Sequence, residues 1–219
     1  AGDSTVGSGI LLASVPQKEE GVYETHLLTA WHVVRDILAD DQLSDGPVPV
    51  AIYEPSGRST PHTARLLQFD PGLDVALLRL VSTENHGHGA RLPSRESLKA
   101  KSVFDPVYAV GCPLGNDPIP TRGEIADLHH TVDEDSYWMI SAPSYIGNSG
   151  GAIFDAESHE LLGVFSKIYT HGTLRPTVVP HMGLATPLGA IYDWMERVGY
   201  ASVAEQAGAV QAKVASAKR

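Results

Sequence analysis

Cysteine is almost missing from this chain of 219 residues: Cys112 stands alone, so no internal disulfide can form. Stability must then come from core burial, and the compartment stays open, since both a cytoplasmic protein and a disulfide-independent exported one fit a single thiol. Long apolar runs are missing too. None approaches the ~20 residues of a membrane-spanning helix, so no membrane span is expected. No signal peptide is visible, and the chain begins at Ala1 rather than Met, as a processed form or an excised domain would. Basic residues are scarce: 16 Lys and Arg face 26 Asp and Glu, for a formal net charge of −10. That excludes a nucleic-acid surface, whose phosphate contacts need clustered cations. Metal-ligand sets are also lacking. His86-Gly87-His88 and His129-His130 have no cysteine or acid cluster to complete a zinc site. The acidic stretches Asp36–Asp45 and Asp133-Glu134-Asp135 lack the spaced carboxylates and glycine of a calcium loop, and read as solvated loops.

What is present is apolar material in short pieces. Hydrophobic residues make up 42% of the chain, enough for a real core. They fall in stretches rich in β-branched and aromatic residues, punctuated by Gly, Pro, Asp and Ser. Strands are expected near 8–15, 22–29, 48–53, 62–69, 74–81, 107–112, 121–130, 136–142, 151–155, 160–169 and 180–186. That spacing is the pattern of sandwiches and barrels, not of βαβ units. His32-Val33-Val34 suggests a single helical turn. The polar segment 82–103 reads as a connection between halves with similar strand counts. Pro187 opens a helix over 188–198, with Ile191, Trp194 and Met195 at helical spacing for core packing. The alanine-rich stretch from Ala201 has a thin apolar face and is expected to be a tail or linker. Three units are expected: 1–90, 91–187 and 188–219.

Chemistry concentrates in Gly147-Asn148-Ser149-Gly150-Gly151, a serine on a glycine-rich turn. Glycine admits the backbone angles of a tight turn and keeps side chains away from a substrate. A serine hydroxyl needs a base within hydrogen-bond reach and an acid to orient that base. His32 lies at the end of the apolar run Leu27-Leu28-Thr29-Ala30-Trp31, a rigid place to hold an imidazole. Asp74 heads the apolar strand Val75-Ala76-Leu77-Leu78, where a part-buried carboxylate needs a partner. Asp70, before Pro71-Gly72, is the competing acid and reads as a turn residue. Gly147-x-Ser149-x-Gly151 also fits the nucleophile elbow of α/β-hydrolases, but that fold needs the order Ser, acid, His and alternating helices. Cys112, beside Pro113, is expected to be a buried small residue and not a nucleophile.

The order His32, Asp74, Ser149 resembles trypsin-like serine endopeptidases of the chymotrypsin fold. Thr29-Ala30-Trp31-His32-Val33, Leu73-Asp74-Val75-Ala76-Leu77-Leu78 and Gly147-Asn148-Ser149-Gly150-Gly151 are similar to that family's histidine, aspartate and serine motifs. The resemblance covers roughly residues 7–197. It implies an all-β protein of two six-stranded antiparallel β-barrels with a C-terminal helix, the 1–90 barrel carrying His32 and Asp74 and the 91–187 barrel carrying Ser149. It implies a Ser149–His32–Asp74 triad, an oxyanion hole from the Gly147 and Ser149 amides, and a Ser166 that hydrogen-bonds Asp74 and starts the strand pairing with substrate. The reaction needs no cofactor, and the expected partner is a protein or peptide substrate, with a homo-oligomer or regulatory partner also compatible.

Two departures refine the resemblance. Digestive members place an Asp just before the nucleophile to pair with a freed N-terminus. Here Asn148 stands there, so activity is expected not to depend on such a terminus. With the missing disulfides, this makes the chain closer in character to HtrA-type bacterial members and related viral ones. The specificity pocket is expected from Pro143, Ser144 and Tyr145, from Ser166, Lys167 and Ile168, and from the Met182–Leu184 segment with Gly183. No carboxylate sits at its base, and Ile168 narrows it, so small or medium aliphatic P1 residues are expected. The rival reading is a chymotrypsin-fold binding or scaffold module, catalytically silent or dependent on a ligand to form its oxyanion hole.

Overall fold

Short apolar stretches pair as strands because each buries one face and leaves the other to solvent. The computed structural model describes residues 6–40, 46–54, 56–87, 89–132, 134–172 and 177–217. Part of each acidic stretch (41–45 and Asp133), together with His88 and Ala1, lies outside them.

The first half contains β1 (Ile10–Leu11), β2 (Val15–Pro16), β3 (Tyr23–Glu24), β4 (His26–Thr29), helix α1 (Trp31–Asp40), β5 (Val48–Tyr53), β6 (Ser59–Asp70) and β7 (Val75–Leu80). Five of these strands form an antiparallel sheet in the order β1-β4-β7-β6-β5, and β2 and β3 form a separate ribbon. A short helix, α2 (Arg95–Lys99), lies in the connection. The second half holds β8 (Pro106–Gly111), β9 (Ile119–Val132), β10 (Asp135–Ile140), β11 (Ala152–Asp155), β12 (Leu161–His171) and β13 (Thr177–Pro187). These six close into a barrel, β10-β13-β12-β11-β8-β9.

Among the described residues, a closed six-stranded barrel is thus met in the second half, and the first half shows a five-stranded sheet. In the first half the stretch 8–15 does not stay in one ladder. Leu12 N donates to the His26 carbonyl, but Ser14 N turns to Gly87 O, so the run splits into β1 and β2. The two-residue β1 and the six-residue β5 are the outer strands of the sheet. A cleft of about 1080 Å3 lies between them, lined by apolar residues including Leu11, Val34, Val50 and Ile52.

Two hydrophobic clusters are divided by the pleat of β4 and β7. Leu27 and Leu78 join Val34, Leu38 and Val48 inside the first half. Their neighbours Leu28 and Leu77 point the other way, into a cluster with Val107, Ile125, Phe165 and Trp194 of the second half. The alternation of strand side chains therefore joins the two halves and fixes the surface between them. β7 is buried at every position but Arg79, as befits a strand covered on both faces.

Helix α1 is ten residues, not one turn, because Val33, Val34 and Leu38 lie on a face that packs on the sheet. Helix α3 (Leu188–Arg197) buries Leu188, Ile191, Trp194 and Met195. The alanine-rich stretch is a further helix, α4 (Ala201–Ala217), rather than an extended tail. Its apolar face is thin, but Val203 and Ala207 are buried, and the Gln211 amide accepts from Leu92 N at 3.0 Å and donates to Ala90 O.

Candidate active site

The ladder between β4 and β7 brings His32 and Asp74 together. Thr29 pairs with Ala76, so the residue three past Thr29 and the residue two before Ala76 emerge at the same end of the sheet. His32 enters the first turn of α1 there. Asp74 occupies the turn before β7 with φ of +50°, a left-handed conformation that Asp tolerates better than most residues. Thr186 of β13 pins this turn by donating to the Leu73 carbonyl at 2.6 Å.

The Asp74 carboxylate is 7% exposed and receives three hydrogen bonds. His32 N donates to Oδ1 at 2.9 Å, His32 Nδ1 lies 2.8 Å from Oδ2, and the Ser166 hydroxyl donates to Oδ2 at 2.6 Å. An ionised carboxylate only accepts, so the proton in the imidazole contact belongs to Nδ1, and Nε2 is left as the acceptor. Burial pushes the Asp74 carboxyl upward, but the hydrogen bonds from His32 and Ser166 and the nearby imidazole outweigh it. Its pKa falls below the ordinary value.

Ser166 reaches Asp74 because β12 bulges at that residue. Phe165 pairs with Ala185 and Lys167 with Leu184, so Ser166 is passed over in the ladder. Such an extra residue re-aims a side chain. Its carbonyl, in turn, accepts from Ser149 Oγ at 3.1 Å. No hydrogen bond joins Ser149 Oγ to His32 among the described residues.

The loop that carries Ser149 is held by its carbonyls. Those of Tyr145, Ile146, Asn148 and Ser149 accept from the backbone amides of Asn148, Leu114, Gly151 and Ser8, at 3.1, 2.8, 2.8 and 2.7 Å. The Gly147 carbonyl accepts from the Ser8 hydroxyl at 2.7 Å. In a planar trans peptide the C=O and N–H point in opposite directions, so five fixed carbonyls also orient the amides between them. Among the described residues, neither the Gly147 nor the Ser149 N–H has an acceptor. Gly147 has φ of +98°, and a Cβ there would lie 2.6 Å from Cys112 O. Both the turn and the close approach require glycine.

Asn148 is 3% exposed, and its Oδ1 has no hydrogen-bond partner among the described residues. Trp31 stacks on Phe69 with centroids 3.8 Å apart, on the strand side of the histidine. Cys112 is half-buried rather than fully buried.

Of the residues expected around a specificity pocket, Ser144 and Ile168 lie beside Gly183. Ser144 N donates to Pro180 O at 2.8 Å, and Ile168 pairs with Gly183 across β12 and β13. A Cβ on Gly183 would meet the Phe165 ring at 2.6 Å and Ser144 Oγ at 2.9 Å. The Pro143 carbonyl accepts from Thr121 Oγ1 at 2.8 Å, Tyr145 is half exposed, and the Lys167 ammonium lies over the Tyr137 ring at 4.6 Å. Three side chains in this region were not anticipated: Ser8, Thr186, and Thr29, whose hydroxyl donates to Ser8 O at 2.6 Å. The glycines flanking Ser8 in Gly7-Ser8-Gly9 and the place of Thr29 in the histidine motif are the marks on the sequence.

The chain is similar to known proteases. Residues 7–164 match the trypsin-like peptidase domain family. A probable periplasmic serine endoprotease of the DegP-like type from Pseudomonas putida is 33% identical over 172 residues, covering 76% of this chain and 30% of that protein. Protease Do-like 1 from the chloroplast of Arabidopsis thaliana is 28% identical over 184 residues, covering 80% of this chain and 37% of the relative. The chain thus spans about a third of the length of these relatives. Among solved structures, the HtrA-type protease AlgW with a decapeptide superposes with a TM-score of 0.61 at 18% identity, over 90% of this chain and 65% of that one. Deg5 superposes at 0.59 and 19% identity, over 87% of each chain. With a matching family domain and the HtrA-type likeness, this chain belongs to the trypsin-like peptidases.

Proposed function

We propose that the chain is a serine endopeptidase acting through Ser149, His32 and Asp74. One observation carries the reading: a buried carboxylate fixes the His32 tautomer through Nδ1, beside a serine loop whose Gly147 and Ser149 amides are unpaired among the described residues. Ser149 Oγ attacks the scissile carbonyl as His32 Nε2 takes its proton. The Gly147 and Ser149 amides receive the developing oxyanion. His32 then protonates the leaving amine, and water hydrolyses the acyl-enzyme by the reverse sequence. Asp74 orients His32 and stabilises its charged form, and Ser166 orients Asp74. No step calls for a cofactor.

Substrate is a protein or peptide whose P1 side chain enters between Pro143, Ser144 and Tyr145 on one side and Lys167, Ile168 and Gly183 on the other. The strand after Ser166 pairs with its backbone. Small or medium aliphatic P1 residues suit this space. The reading divides the chain at 90/91 and 187/188. It also takes the first half as a six-stranded barrel, of which five strands form one sheet among the described residues. A homo-oligomer or a regulatory partner is compatible with it.

A second reading takes support from the Ser149 hydroxyl, which donates to the Ser166 carbonyl rather than to His32. In that reading the chain is a binding module, or rests in a silent state until a ligand draws Oγ to the imidazole. Free enzymes often hold such contacts loosely before substrate enters. Reaction with a fluorophosphonate separates the two. The endopeptidase reading expects label on Ser149 in the wild type and none in Ser149→Ala, with kcat for peptide cleavage falling on the order of 10⁶-fold. A wild type that neither takes the label nor cleaves peptide would remove the endopeptidase reading.

A further inference from the structure

We infer that Ser8 is a positioning residue for this hydrolysis, one that sets the direction of the Gly147 and Ser149 amides and ties their loop to the histidine strand. The inference rests on the endopeptidase reading above. Ser8 is buried, and each of its polar groups is engaged, the hydroxyl and the N–H across the junction of the two halves and the carbonyl within the first. Its hydroxyl donates to Gly147 O at 2.7 Å and accepts from Cys112 N at 2.7 Å. Its N–H donates to Ser149 O at 2.7 Å, and its carbonyl accepts from Thr29 Oγ1 at 2.6 Å. Thr29 is three residues before His32 in sequence, so one residue links the oxyanion loop, the Cys112 turn and the base.

The order of these contacts along the loop matters. The Gly147 amide belongs to the 146–147 peptide plane, and the Ser149 amide to the 148–149 plane. Leu114 and Gly151 hold the carbonyls of those two planes, while Ser8 holds the carbonyls of the two that follow them, 147–148 and 149–150. Ser8 therefore fixes the peptide on each side of the Ser149 amide. Space around it is reserved. A Cβ on Gly150 would lie 2.2 Å from both Ser8 O and Thr29 Oγ1, and one on Gly111 would lie 3.0 Å from Ser8 Oγ. Side chains at either place would force the clamp apart.

Ser8→Ala removes both hydroxyl contacts and leaves the Gly147 carbonyl and the Cys112 amide without partners in a buried setting. The 147–148 peptide is then held only through the Asn148 N–H on Tyr145 O at 3.1 Å, so other orientations gain population, and only the fraction of molecules with both amides aimed at the substrate turns over. Loss of one oxyanion donor costs roughly 10²–10³-fold in kcat, so a partly populated loop is expected to cost about 10- to 100-fold. KM should hold, because the strand after Ser166 is untouched.

The test compares wild type, Ser8→Ala and Thr29→Val, with kcat expressed per fluorophosphonate-titrated site. It adds the backbone amide resonances of Gly147 and Ser149 in ¹⁵N-labelled protein. A merely structural Ser8 would lower the number of active sites but not the turnover of each. The expected result is reduced kcat per site at constant KM, with both amide resonances shifted or broadened in Ser8→Ala. Thr29→Val, which frees the Ser8 carbonyl but keeps its hydroxyl, should move the same signals and carries the test if Ser8→Ala does not fold. Unchanged kcat per site, or unmoved amide resonances, overturns the inference. Failure of the endopeptidase reading would look different: the wild type would neither take the label nor cleave peptide, or Ser149→Ala would retain cleavage, whatever happens to the amides.

Discussion

Ser166 donates its hydroxyl to Asp74 at 2.6 Å while its own carbonyl accepts from Ser149. One bulged residue of β12 therefore touches both ends of the proposed triad. Ser166→Ala should remove a charge-assisted hydrogen bond from a buried carboxylate, a loss of roughly 1.5–3 kcal/mol. If that loss falls on the charged imidazolium state, kcat should drop about 10- to 100-fold. Steady-state kinetics beside urea denaturation would divide the effect between turnover and stability.

Asp74→Asn tests the acid directly. The amide can offer N–H to Nδ1 and so favour the tautomer that leaves no acceptor at Nε2. The same change in the serine-protease template lowers kcat about 10⁴-fold, and a fall of that order is expected here. Full activity in Asp74→Asn would point to a different acid.

These residues were legible because each stands beside an apolar strand whose pattern is strong: Leu27–Ala30 before His32, and Val75–Leu80 after Asp74. Most of the second-half strands were legible for the same reason. The rest depends on distance. Ser8 meets Gly147 and Cys112 across 139 and 104 positions of chain, and no local pattern encodes that. The docking of α4 hangs on Gln211 reaching the 90–92 segment, a contact invisible to propensity. The division of 8–15 into two strands follows from Ser14 turning to Gly87. Closure of the first half was an inference from resemblance, and the described sheet stops at β1 and β5.

Away from the site, Lys101 Nζ, in the connection before β8, lies 2.5 Å from Asp155 Oδ2 of β11. Burial raises the Asp155 carboxyl, but Lys101 and the backbone amides of Ser158 and Glu157 more than reverse this and bring its pKa down to about 2. A depressed folded value means that the stabilisation is fully present above the unfolded value of about 3.9 and is lost as pH falls towards 2. The contribution is on the order of 2 kcal/mol. Acid unfolding curves should show wild type losing that increment between pH ~4 and ~2, with Asp155→Asn less stable at pH 7 and flatter through the same interval.

Asn148 is buried beside the nucleophile, and its Oδ1 has no hydrogen-bond donor, charged or neutral, among the described residues. Asn148→Asp should bury an unpaired carboxylate there, at a cost of about 3 kcal/mol at neutral pH. The new carboxyl would have a raised pKa, so the penalty should shrink as pH falls and the group protonates. Thermal unfolding of both proteins at pH 7 and pH 4.5 gives the comparison. A variant as stable as wild type at neutral pH would mean that a cation reaches this position. The proposed independence from a freed N-terminus would then fail with it.

Crowding around Gly183 makes the last prediction, on specificity. A Cβ on this glycine would already collide with the Phe165 ring and Ser144 Oγ, and its cross-strand neighbour is Ile168. A side chain entering here meets Pro143, Ile168 and the Lys167 cation, and no carboxylate among the residues proposed to line the space. An arginine or lysine at P1 would lose its hydration without gaining a counter-ion, a penalty of several kcal/mol that its methylenes do not offset. A peptide-library profile should therefore peak at Ala, Val or Leu. Ile168→Gly, by removing a wall, should shift the peak towards Phe and other large apolar residues by raising their kcat/KM, with only about 1–3 kcal/mol of pocket discrimination at stake. A wild-type profile led by Arg or Lys would show that a carboxylate outside this set reaches the pocket and that the P1 assignment is wrong.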